Sequence, residues 1–280
     1  MSGLSSAQIA AAYRVSCLDE LDALKPGNVH AFADGHRMRV ADFVASAEVS
    51  TPHLAQAGAG VGTRVRGGVK ATLAATDQNT NLGILLLCAP LALAAERGGP
   101  LRPALQGVLE GLDPRDAADV FSAIRLANPG GLGRAERHDI HDPGAALLQA
   151  AMAEAAPRDR IARAYVTGFE DLFTIGLPAL EAARARGLTP PWSTTAVFLA
   201  YLARVADSHI ARKHGAARAE AVRVEAAALL SLDLGTAPVA DLLAHDARLK
   251  AANLNPGTSA DFTVATLFLD RLTAAAGVES

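Results

Sequence analysis

Residues 82–95 read LGILLLCAPLALAA and carry no charged side chain. A membrane-crossing helix takes about 20 apolar residues, so this run is too short to span a bilayer, and Pro90 stands inside it. It reads instead as a helix apolar on all sides, which only the interior of a folded protein can accommodate. The surrounding sequence supplies the amphipathic helices needed to cover it. Ile9, Tyr13, Cys17, Glu20, Leu21 and Leu24 recur at helical spacing behind Ser5-Ser6, which suits a cap, and predict a helix over about 7–24. Similar spacing predicts helices near 40–58, bent at Pro52, and near 61–75, 82–97, 101–111 and 115–126. Beyond a break these continue near 144–156, 158–186, 193–213, 217–231, 237–251 and 259–276. No stretch alternates as a strand would. Alanine at this density favours helix because it loses no side-chain entropy there. The expected architecture is an all-α multi-helix bundle forming one domain over residues 1–280.

Composition narrows the function. Half of the 280 residues are hydrophobic, enough for a substantial core. The formal net charge of −3 supplies no basic field of the kind nucleic acid or anionic membrane would require. Small molecules are the expected partners. Cys17 and Cys88 lie in helical stretches without metal or disulfide spacing, which fits a reduced, cytoplasmic setting, and the N-terminus lacks the pattern of a signal peptide.

Four polar breaks interrupt the apolar background: KPGNVH (25–30), TDQNTNLG (76–83), ADSHIARKHG (206–215) and NLNPGTSADF (253–262). Each falls near a predicted helix end, where unpaired backbone N–H groups suit phosphate oxygens. Each also has a plain structural reading. Lys25-Pro26-Gly27 could simply stop a helix, and Asn79, Thr80 and Asn81 could cap the next one. Thr258 and Asp261 stand at capping-box spacing. Asp207 is the exception, because it follows AVFLAYLARVA where the helical stripe should still face the core, and an ionised group there needs a cation or a substrate to justify it. A fifth break, residues 127–144, contains HDIHD (138–142), which could hold a divalent ion but reads more simply as solvated charge. Its glycines follow no strand, so they make no dinucleotide fingerprint.

Taken in order, these motifs resemble the triphosphoribosyl-dephospho-CoA synthase family of all-helical enzymes. KPGNVH matches that family's KPGLVD, GHRM its GAHxDM, NTNLG its NTHKG, DSHIARKHG its DTNxxxRGG and NLNPGTSADF its NLSPGGSAD. The resemblance implies a transferase that moves a triphosphoribosyl group from ATP to a dephospho-CoA-like acceptor, with adenine leaving. It further implies that Lys25, Arg212 and Lys213 meet phosphates and that Asn79, Thr80, Asn81 and Asn253 position sugar and base. Asp207 and Asp261 would bind Mg²⁺ or steady developing positive charge, and His30 and His36 would line the same pocket. Pro26, Gly27, Asn28 and Ser259 complete the implied binding set, and Asp207, Asp261 and His36 the catalytic one. The implied partners are phosphorylated small molecules, with room for a homodimer.

The chain departs from the family pattern at three charged positions. Asn81-Leu82 replace His-Lys, GHRM lacks the acid before Met, and His30 replaces an acid. Two alternatives therefore stand beside the first reading: a relative that transfers another phosphorylated precursor, for example of a one-carbon carrier, and a non-catalytic helical protein that binds a nucleotide.

Overall fold

The computed structural model describes residues 2–31, 33–35, 38–129 and 147–277. Among these, fourteen α-helices follow one another and no strand forms, only isolated bridges at His30–Ala33 and Gly35–Met38. The first six helices are α1 (Ser6–Asp22), α2 (Val40–Leu54), α3 (Val61–Thr76), α4 (Leu82–Arg97), α5 (Leu101–Glu110) and α6 (Pro114–Ala127). Then come α7 (Leu148–Ala155), α8 (Arg160–Thr167), α9 (Leu177–Ala185), α10 (Pro190–Arg204) and α11 (Ser208–His214). The last are α12 (Ala216–Leu229), α13 (Val239–Ala251) and α14 (Gly257–Ala275). No single helix among the described residues is long and apolar enough to cross a membrane.

Helix α4 is the buried apolar rod that its sequence requires. Leu85, Leu87, Cys88, Ala89, Leu91 and Ala92 are fully buried, with α1, α3, α5 and α14 packed around them. Pro90 has no N–H to give, so the carbonyl of Leu86, one turn earlier, loses its helical partner. The Tyr165 hydroxyl of α8 donates to that carbonyl at 2.7 Å. Gly68 lets α3 approach closely, since a Cβ there would lie 2.8 Å from Leu85. Ser5 and Gln8 close a capping box at the start of α1, where Ser5-Ser6 predicted a cap. A second apolar cluster holds α10 to α13 together through Phe198, Leu202, Ile210, Val222, Leu242 and Leu249.

Two predicted long helices are broken. Instead of one helix over 158–186, α8 ends where Gly168 and Phe169 both turn left-handed, at φ 63° and 61°, and a π-turn over Leu172–Gly176 precedes α9. The π-turn brings Gly176 against the hydrogen-bonded Tyr201 and Thr266 hydroxyls, where a Cβ would lie 2.2 Å from each oxygen. Instead of one helix over 193–213, α10 stops at Arg204 and α11 starts afresh behind Asp207.

Candidate active site

A cleft of about 1200 Å³ opens between the two apolar clusters. It is bounded by the N-terminal turns of α4 and α14, the ends of α6 to α8, and the α10–α12 segment. Of the residues singled out from sequence, Asn28, Asn79, Thr80, Asn81, Arg212, Lys213 and Asp261 line it. Asn79 Oδ1 accepts from the Leu82 N–H at 3.3 Å, so it also serves as the first-turn cap. Thr80 bonds the Ser46 hydroxyl of α2, and Asn28 Nδ2 donates to Asn255 Oδ1 at 2.8 Å. Arg212 lies 3.5 Å from Asp159, and Lys213 beside it is exposed.

Asp261 sits half-buried in the first turns of α14, pressed onto α4. A Cβ at Gly83 would lie 2.0 Å from Asp261 Oδ2, so only glycine leaves room for this carboxyl. Burial pushes the Asp261 carboxyl well above the usual range, and the charges of Asp207 and Glu20 push it further the same way. It holds a proton more readily than an ordinary aspartic acid.

The structure places the remaining expected residues elsewhere. Asp207 is buried, and its two oxygens are fully used: Oδ1 accepts from the N–H groups of His209 and Ile210 at 2.9 and 3.1 Å, Oδ2 from Ser259 N and Oγ at 2.8 and 2.9 Å. Where Mg²⁺ was expected at Asp207, the structure places four protein hydrogen-bond donors around its oxygens. One carboxylate caps α11 and at the same time ties it to the first turn of α14. Ser259 is spent on the same bond, as a partner of Asp207 rather than of a ligand. Among the described residues no group of three or more His, Cys, Asp or Glu side chains converges on a metal position.

Lys25, expected to meet phosphate, is completely buried behind the cleft wall. Its Nζ donates to the Val29 carbonyl at 2.7 Å and pairs with Glu20 Oε1 at 2.8 Å. Pro26, Gly27 and His30 are likewise turned inward, against α13. Gly27, at φ 84°, gives its N–H to Asp246 Oδ1 at 2.8 Å, and a Cβ on it would meet Leu249 and Pro256. His30 Nε2 lies 3.4 Å from the same carboxylate oxygen. These residues dock the loop on α13 and do not line the cleft. Asn253 is an exposed turn residue with φ 56°, and Asn255, two positions on, takes the place expected of it. His36 and the HDIHD run lie outside the described residues.

The cleft also recruits residues that sequence reading passed over. Arg160 is held by Asp171 through two bonds of 2.5 and 2.7 Å, and Arg204 and Arg223 stand with Arg212 and Lys213 on the α8, α10–α12 side. Acidic side chains in the lining are Glu20, Glu154, Asp159, Asp261 and Glu220, the last of them paired with Arg223. Arginines scattered over three helices form no local motif. Glu20, by contrast, left a trace: an acid within the apolar stripe of α1. The result is a large cleft of mixed lining that carries several cationic side chains together with a carboxyl whose proton is held more tightly than usual, an arrangement that suits a polyanion bearing a reactive centre.

The chain is 33% identical over 110 residues to the 2-(5''-triphosphoribosyl)-3'-dephosphocoenzyme-A synthase of Klebsiella pneumoniae, a match covering 38% of each chain. It is 32% identical over 108 residues to a Pseudomonas fluorescens protein assigned the same activity, covering 37% of that protein. The matched segments thus span well under half the length of these curated relatives. A crystal structure from Archaeoglobus fulgidus, described as a triphosphoribosyl-dephospho-CoA synthase, shares the fold with a TM-score of 0.65 at 23% identity, over 81% of this chain and 96% of that one. Since the family model for ATP:dephospho-CoA triphosphoribosyl transferase matches residues 6–280, nearly the whole chain, the protein belongs to that family.

Proposed function

We propose that the protein transfers the triphosphoribosyl group of ATP to a ribose hydroxyl of a dephospho-CoA-like acceptor, releasing adenine. The observation that carries this reading is the presence, in one cleft, of several cationic side chains and the half-buried Asp261, whose carboxyl is raised above its usual range. The acceptor oxygen bonds to the anomeric carbon as the carbon–nitrogen bond to adenine breaks, through an oxocarbenium-like state. Arg160, Arg212 and Lys213 bind the triphosphate as charge-assisted donors. Asp261 faces the reacting centre, where its carboxyl delivers a proton to the departing base. Asn28, Asn81 and Asn255 supply hydrogen bonds to sugar and base.

The donor set does not fit a metal held by the protein itself, because Asp207 has no oxygen left to offer. Mg²⁺ enters in this reading only as part of the metal–nucleotide substrate. The test is to incubate the protein with ATP, Mg²⁺ and dephospho-CoA and to follow free adenine by chromatography. Adenine should accumulate in step with the acceptor's consumption. ADP, AMP or pyrophosphate in its place overturns the reading in favour of kinase or ligase chemistry.

A further inference from the structure

Glu20 and Lys25 make an unusual pair. Both side chains are buried, at 4% and 0% exposure, and their ion pair spans 2.8 Å. Yet Glu20 lines the cleft, while Lys25 stands behind it. Lys25 reaches Glu20 from one turn beyond the end of α1 and spends a further bond on the Val29 carbonyl, so the ammonium is fixed at both partners. It binds Glu20 Oε1, and no further hydrogen bond to Glu20 forms among the described residues. An acid–base pair kept only for stability would be expected to turn wholly inward, since a well-packed apolar pair is usually as stable as a buried ion pair. This one has its acidic member in the lining of the cleft.

We propose that Glu20 is the general base of the reaction, with Lys25 as its positioning residue. The assignment rests on the transfer proposed above. As the acceptor hydroxyl oxygen forms its bond to the anomeric carbon, its proton passes to Glu20. The electron pair of the breaking carbon–nitrogen bond leaves with adenine, which takes the proton of Asp261. One proton is accepted and one donated, and before the next turnover Glu20 gives its proton to solvent while Asp261 takes one back, so nothing else is consumed. The environments divide the work. Glu20 has a cation 2.8 Å away that favours its charged form, whereas Asp261 has none so close and senses the negative charge of both Glu20 and Asp207. Burial also lifts the Glu20 carboxyl above its ordinary value, which makes it the stronger base, while Lys25 opposes that lift. The charged groups that face Glu20 are Lys25 and, from α14, Asp261. From α2 and α4 it meets Phe43, Ser46, Asn81 and Ile84, none of which ionises.

The test compares the wild type with Glu20→Gln, Lys25→Met and the double variant Glu20→Gln/Lys25→Met. Glu20→Gln keeps the shape and removes the base, so adenine release should slow by about 100-fold or more, with ATP affinity by calorimetry nearly unchanged. Glu20→Gln also strands the buried lysine, which alone could unfold the protein. The double variant removes both charges, and it should fold and remain as inactive as Glu20→Gln. Lys25→Met should retain part of the activity but move the acidic limb of the kcat profile to higher pH, because the carboxylate has lost the cation that opposes its protonation. Recovery of activity in the double variant overturns the proposal, since Glu20 would then matter only as a counter-ion to the lysine. An unmoved acidic limb in Lys25→Met overturns the positioning role. Failure of the wild type to release adenine would bring down the transfer reading itself and the base assignment with it, whereas a failing double-variant test leaves that reading standing.

Discussion

Asp207 accepts four hydrogen bonds, two from the start of α11 and two from Ser259. An amide in its place would turn an N–H group toward donors it cannot satisfy. Asp207→Asn should therefore destabilise the ligand-free protein by about 1.5–3 kcal/mol, the range for hydrogen bonds to a charged group. Urea denaturation measures this. A metal ligand would behave oppositely, because removing a buried negative charge from an empty site tends to stabilise the protein. Sequence made Asp207 conspicuous as an acid on a core-facing stripe that should need a cation or a substrate, whereas neutral N–H and O–H donors satisfy its oxygens in the structure. The partner itself could not be read, because Ser259 lies 52 residues away and belongs to another helix. Glu20 was legible in the same limited way, as an acid in the stripe of α1. That it both pairs with a buried lysine and takes part in the cleft lining depends on how the chain turns after Ala23.

Gly27, His30, Ala33 and Gly35 lie against α13, and a single carboxylate fastens the first two of them. Asp246 accepts from the Gly27 N–H at 2.8 Å, lies 3.4 Å from His30 and pairs with Lys250 at 3.0 Å. Burial pushes its carboxyl up, but the His30, Gly27 and Lys250 contacts outweigh burial and hold it below the ordinary value. A depressed acid contributes stability that is fully present above its unfolded value, about 3.9, and is lost as the pH falls through the lower folded value. Asp246→Asn should accordingly flatten the acid limb of a stability–pH curve below about pH 4. It should also lower the hydrogen-exchange protection of the Gly27 amide. A variant with the wild-type acid limb would show that the carboxylate does not anchor the loop. The helices were largely legible because their apolar periodicity is local. The breaks at Gly168–Phe169 and at Asp207 were not, because the sequence on either side continues the helical pattern and distant groups decide the stop.

The cleft is a property of the whole molecule, since its walls come from two apolar clusters and its polar residues from breaks far apart in sequence. NTNLG, DSHIARKHG and NLNPGTSADF do converge there, whereas KPGNVH contributes only Asn28 to the surface and spends the rest on docking. Convergence of the first three was suggested by motif order alone. The arginines could not be foreseen, because Arg160 is held by Asp171 on a following turn and Arg223 reaches the Ala203 carbonyl of another helix. This distribution of charge predicts how the molecule divides a nucleotide. Arg212 and Lys213 sit together on α11, and removing both as Arg212→Gln/Lys213→Gln should weaken binding of tripolyphosphate by about 10-fold or more, since each charge-assisted contact contributes on the order of 1.5–3 kcal/mol. The variant's affinity should also depend less steeply on salt, because fewer screened charges remain. Adenosine, which carries no phosphate, should bind both proteins alike. Calorimetry with the two ligands at two salt concentrations measures each quantity separately. Equal weakening of adenosine and tripolyphosphate would place the damage in the shape of the cleft. Unchanged tripolyphosphate binding would put the triphosphate elsewhere, leaving Arg160, Arg204 and Arg223 to carry it.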